Sequence, residues 1–94
     1  MYVHYPALAA VFRNDCTRAA IRARNHSPQF VDCRRIVAAH LRTRGFSLKQ
    51  IGIELNRHHT TVLYLLRSHE QLLESDANYR ATVESCGKLW KLKP

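Results

Sequence analysis

Between Ser47 and Ser68 the sequence SLKQIGIELNRHHTTVLYLLRS leaves room for little besides two short helices meeting at a tight corner. Leu48, Ile51 and Leu55 recur at i, i+3 and i+7, the spacing of one buried helical face. Gly45 suits the left-handed position that ends a preceding helix. Ser47 with Gln50 three residues on forms a capping box, and Phe46 and Ile51 are placed as a hydrophobic staple. Asn56 breaks the pattern. It tolerates left-handed backbone and is a good N-cap, so it is expected both to end the first helix and to start the second.

Val62, Leu65, Leu66, His69 and Leu73 then resume helical spacing and form the buried side of the second helix. Turning by about 100° per residue, Arg57, Thr60, Thr61, Tyr64, Arg67 and Ser68 gather on the other side. Side chains of these types can hydrogen-bond to phosphates or base edges, and no Asp or Glu stands among them. Two helices with such an outer face describe a helix-turn-helix, whose second helix lies in the major groove of duplex DNA. Tyr64, Arg67 and Ser68, one turn further along, are phosphate candidates, as is Lys49 at the start of the first helix.

The run IGIELNRHHTTVLYLL also resembles the signature of the C-terminal DNA-binding domain of the bacterial replication initiator DnaA, roughly I-G-x-x-F-G-(G)-R-D-H-[ST]-T-V-[LI]-x-A. The matching positions are Ile51, Gly52, Arg57, His59, Thr60, Thr61, Val62 and Leu63. Upstream, VDCRRIVAAHLRTRGFSLKQIG is similar to the family's V-x-A-R-Q-x-A-x-x-L-x-x-x-x-x-S-L-x-x-I-G, and a weaker similarity runs from Tyr5 to Phe30. The resemblance implies an all-α bundle of about five to six helices, related in fold to the tryptophan repressor. Residues 1–94 would form one DNA-binding domain, with the helix-turn-helix at about 47–73.

It further implies base reading by Arg57, His58, His59 and Thr60, with Thr61 assisting through its backbone. The chemistry agrees: Arg57 can fork onto guanine, His59 can donate or accept and touch a thymine methyl, and Thr60 offers a hydroxyl and a methyl. Arg34 and Arg35 stand at the family's R-Q pair and are expected on phosphates. Arg24 and His26 fall where the family reaches a basic loop into the minor groove. Two departures matter. His58 replaces an acid that can accept from a cytosine amino group; a neutral imidazole accepts from a different position and an imidazolium not at all. A related but altered site preference follows, with pH sensitivity below about 6.5. One glycine fewer before Arg57 shortens the corner.

The family's full-length initiator carries a nucleotide-binding domain, whereas no G-x-x-x-x-G-K-[ST] occurs in these 94 residues. The expected function is therefore sequence-specific binding of double-stranded DNA at DnaA-box-like sites, in replication initiation or its control, without ATPase and without a cofactor. A cytoplasmic, nucleoid-associated protein is expected, with other replication proteins as further partners. The alternatives are a transcriptional regulator and a helix-turn-helix derivative that docks an acidic protein. Enzymatic activity is not expected, because no nucleophile, base and orienting group converge at interpretable spacing.

Charge supports a polyanionic partner. The net charge is +8. Residues 1–46 hold eight Arg against two Asp, residues 47–67 add two net positive charges, and beyond Ser68 four acids balance four bases. A polyanion docking on the first two thirds is the simplest account. Cys16, Cys33 and Cys86 are an odd number at no zinc-ligand spacing, so small buried thiols are expected instead of a metal site. No run approaches the ~18 apolar residues of a membrane span. The opening MYVHYPALAAVF, with no basic residue ahead of its apolar part, is expected to be a helix and not a signal peptide.

Other helices are expected at Tyr5–Phe12, at Thr17 to about Arg24, and at Val31–Arg44, with Arg24 to Gln29 as a loop. In the third of these, Cys33, Ile36, Val37, His40 and Leu41 form the inner stripe. Arg34, Arg35, Ala38 and Arg42 form an outer side able to lie along a phosphate backbone. Ser75-Asp76 is a second capping pair, followed by a final helix that buries Tyr79, Val83, Cys86 and Trp90 against the back of the recognition helix.

Overall fold

Cys33, Ile36, Val37, Ala38 and Leu41 are buried around more than half the circumference of one helix, which makes that helix the centre of the bundle. The computed structural model describes residues 3–12, 16–24 and 28–91. Over these it has six helices and no strand: α1 (Tyr5–Phe12), α2 (Arg18–Arg22), α3 (Pro28–Thr43), α4 (Leu48–Leu55), α5 (His59–Ser75) and α6 (Ala77–Lys91). The central α3 packs against α1, α2, α4 and α5, while α6 closes the bundle across α1 and α5. The all-α bundle expected from the sequence is thus observed. No helix among the described residues is long and apolar enough to cross a membrane.

The central helix begins earlier than its periodicity suggests, at Pro28 and not at Val31. Proline at a first helical position lacks an N–H that would have no intrahelical partner there anyway, and its φ is already helical. The helix ends as expected: Gly45 has φ 90°, Phe46 N donates to Leu41 O at 3.2 Å, and Gly45 N donates to Arg42 O at 3.0 Å. That pair of bonds is the Schellman closure. The capping box forms as well, Gln50 N donating to Ser47 Oγ at 3.2 Å and Ser47 N to Gln50 Oε1 at 2.9 Å. Of the pair Ser75-Asp76 it is Asp76 that caps α6, accepting from Tyr79 N at 3.0 Å.

One buried acid ties α4 to the two N-terminal helices. The Glu54 carboxylate accepts from Tyr5 Oη at 2.5 Å and from Arg18 Nε at 2.9 Å. Burial alone would raise its pKa, but the bonds from Arg18 and Tyr5 outweigh that and hold it below the ordinary glutamate value. The expected thiol burial is observed: Cys16, Cys33 and Cys86 are all buried and free, and burial pushes the Cys86 thiol up to about 12. Trp90 packs half-buried against the His40 ring, centroids 4.2 Å apart, and its Nε1 donates to His4 O at 3.2 Å.

His69 on α5 is buried against α6, its Nδ1 2.7 Å from Tyr79 Oη. Burial lowers its pKa; Glu70 opposes and Arg35 reinforces that effect. A histidine that binds its proton more weakly when folded leaves the unfolded chain with more protons once pH falls through about 6.5. Stability is therefore expected to be undiminished above that pH. Below it stability should decline, with His69 contributing at most about 1.4 kcal/mol per pH unit until its folded pKa is passed. Urea midpoints measured from pH 7.5 to 5 test this, and His69→Gln should flatten the profile. An unchanged slope in that variant would place the proton uptake elsewhere.

Candidate nucleic-acid interface

The corner between α4 and α5 comprises Asn56, Arg57 and His58. Asn56 sits at φ 54°, ψ 47°, the left-handed conformation that asparagine tolerates. Arg57 N donates to Gly52 O at 2.9 Å and Asn56 N to Ile53 O at 3.3 Å, so α4 closes by the same Schellman pattern as α3. The closure brings chain against chain. A Cβ on Gly52 would lie 2.5 Å from Arg57 O, far closer than a carbon atom approaches a carbonyl oxygen.

Asn56 ends α4 as expected but does not start α5. That task falls two residues later to His58, with φ −65° and ψ 150°. Its Nδ1 accepts from Thr60 N at 3.3 Å and lies 2.8 Å from Thr60 Oγ1. The imidazole thus does what Ser, Thr, Asn or Asp ordinarily does at this position. With Nδ1 accepting, the neutral ring carries its proton on Nε2, the ring nitrogen that the cap leaves over. The departure from an acid at this position therefore preserves an acceptor for the helix start. His59 stacks on His58, ring centroids 4.2 Å apart and 35° tilted.

Arg57 is placed differently from its expected role at a guanine edge. Its Nη2 donates to Ala23 O at 2.6 Å, and its Nη1 lies within 3.3 Å of Arg22 O, Leu55 O and Asn56 O. Arg22 reciprocates, its Nη1 reaching Ile53 O and Glu54 O. The carbonyl ends of α2 and α4 face each other, and each is satisfied by an arginine from beside the other. A helix C-terminus carries partial negative charge and unpaired carbonyls, so a guanidinium is well suited to it.

The expected arginine side of α3 is likewise mostly inside. Arg34 is 4% exposed and donates to Ile21 O at 2.8 Å and to Ala23 O at 3.1 Å. Burial, with the Arg57 cation nearby, lowers its pKa. Arg35 joins α3 to α5 through Ser68 Oγ at 2.8 Å and pairs with Asp32 at 2.5 Å. These contacts bury Arg34 and tie Arg35 and Ser68, both half-buried, into the fold. Arg42 is exposed, donating to Phe46 O at 2.9 Å.

What remains outward is a coherent set. Lys49, Thr60, Tyr64 and Arg67 are exposed, His59 and Thr61 are half-buried, and Arg44 adds an exposed cation that the helix-turn-helix pattern does not include. Lys49, His58 and His59 line one open concavity at the corner together with Arg22, Gly52, Ile53, Asn56 and Arg57. No carboxylate lines it, since Glu54 on the same helix is turned under and neutralised. Acids on the outer side of α5 begin only at Glu70, past Arg67. Arg24 is exposed after α2, and His26 lies outside the described residues. Among the described residues no group of three or more His, Cys, Asp or Glu side chains is arranged to hold a metal.

Arg22 and Ile53 are lining residues that sequence reasoning missed. Nothing near Arg22 in the chain indicates that α2 ends beside α4. Ile53 did carry a signal: it lies off the Leu48, Ile51, Leu55 stripe, and an apolar residue off the stripe of a short helix points away from the core. No protein-family profile, curated protein or solved structure matches the chain.

Proposed function

We propose that this chain binds double-stranded DNA in a sequence-selective way, with the start of α5 in the major groove. One observation carries the reading: the outward surface from Lys49 across His58, His59 and Thr60 to Tyr64 and Arg67 holds cations, hydroxyls and imidazoles without an exposed acid. Such a surface matches phosphates and base edges at once. His59 and Thr60 are the base readers and His58 offers Nε2. Lys49, Arg42, Arg44, Arg67 and Arg24 hold the backbone by charge, and Tyr64 offers a hydroxyl beside them. The resemblance to the DnaA domain favours a task in replication initiation or its control, carried out by binding alone. Transcriptional regulation uses the same surface in the same way.

Selecting bound duplexes from a random pool and titrating the winner with salt tests this. Log K is expected to fall linearly with log[salt], with a slope of about −4.5 for five phosphate contacts. The selected duplex should bind about 10³-fold tighter than random sequence. His59→Ala should shrink that ratio, whereas Lys49→Ala and Arg67→Ala should weaken all duplexes alike and each reduce the slope by about 1. Equal binding of every duplex would reduce the function to non-selective DNA binding, and no binding at all would overturn the proposal in favour of an acidic protein partner.

A further inference from the structure

We propose that Ile53 reads a thymine, by packing its side chain against the C5 methyl group in the major groove; this rests on the DNA-binding function proposed above. Ile53 is 69% exposed, more than any other large hydrophobic side chain of the described residues. It is not a stray apolar residue on a polar helix. It stands in the open concavity between Lys49, one turn earlier on α4, and the stacked His58 and His59 that begin α5. Arg22 supports it from below by donating to its carbonyl.

The cations around that concavity and the lack of a carboxylate on its walls select a polyanion as the occupant. Duplex DNA is the polyanion that also presents apolar groups of matching size, because the thymine methyl projects into the major groove. A β-branched side chain on a helix is held in one χ1 rotamer, so Ile53 loses little freedom when it is covered. The arginine cross-brace between the ends of α2 and α4 holds Ile53 and the corner that leads to His59. Ile53 and the imidazoles can then address neighbouring base pairs, one through a methyl and the others through hydrogen bonds.

The test replaces each thymine of a selected duplex, one at a time, with uracil, which deletes the methyl and leaves base pairing intact. At one position uracil is expected to weaken the wild-type protein about four-fold, the worth of burying one methyl group. Ile53→Ala should bind the thymine duplex more weakly by a similar factor and be indifferent to uracil at that same position. Its urea midpoint should match wild type, since the side chain it loses is exposed. If every thymine-to-uracil change affects both proteins equally while selected duplexes are still preferred, the Ile53 contact is refuted and the DNA-binding function stands. If neither protein prefers the selected duplex over random sequence, both fall together.

Discussion

Gly52→Ala is expected to lower the stability of the bundle by about 3 kcal/mol, at the upper end for overpacking a rigid site. The added Cβ would sit 2.5 Å from the Arg57 carbonyl oxygen, which is backbone and not the tip of a flexible side chain. Relief by moving the corner is obstructed, because Arg57 N is bonded to Gly52 O at 2.9 Å and the Arg57 guanidinium is anchored on α2. Gly87→Ala supplies the contrast. It lies within α6, where an added Cβ meets nothing within 4 Å, so alanine there should stabilise by about 0.5–1 kcal/mol through helix propensity. Urea unfolding of the two variants should move the midpoint in opposite directions. A Gly52→Ala midpoint equal to wild type would show that the corner shifts more freely than its bonding indicates.

Arg57→Ala should be nearly as damaging, and the manner of the damage is informative. Four carbonyls lose a charged donor, those of Arg22, Ala23, Leu55 and Asn56. Bonds to charged groups contribute about 1.5–3 kcal/mol, and partial solvent access places the expected loss near 2. Arg57→Lys should rescue little, since one ammonium lacks the planar fork that reaches both helix ends. On DNA, a loosened corner should weaken selected and random duplexes together. His59→Ala, by contrast, should leave the urea midpoint unchanged and reduce only the preference. If Arg57→Ala proved fully stable while losing preference at a single base pair, the guanidinium would have to leave its carbonyls and read a base directly, as its motif position suggests.

The two arginine roles separate along a clear physical line. Arg22, Arg34 and Arg57 converge on backbone carbonyls at the ends of α2 and α4, and this network aims α5. Lys49, Arg42, Arg44 and Arg67 remain at the surface, where water and salt screen an exposed charge and leave it little part in holding the fold. A basic composition alone does not distinguish a brace from a contact.

Much of the fold was legible in the chain. The helical segments, the Gly45 closure, the Ser47–Gln50 box, the left-handed Asn56, the Asp76 cap and the buried cysteines follow from patterns that close within a few residues; the outer side read for α3 does not, since Arg34 and Ala38 are buried. Such features are local: backbone sterics and neighbouring hydrogen bonds determine them before any distant segment arrives. The partner of each arginine was not legible. Arg34 finds its carbonyl 13 residues away and Arg57 finds Ala23 34 residues away, across helices whose juxtaposition depends on how the whole core packs. An unpaired carbonyl at a buried helix end draws in whichever guanidinium can reach it, because leaving it unsatisfied is costly. Local sequence therefore decided which segments are helices and where they stop; only the assembled bundle decided which cations hold it together and which face outward.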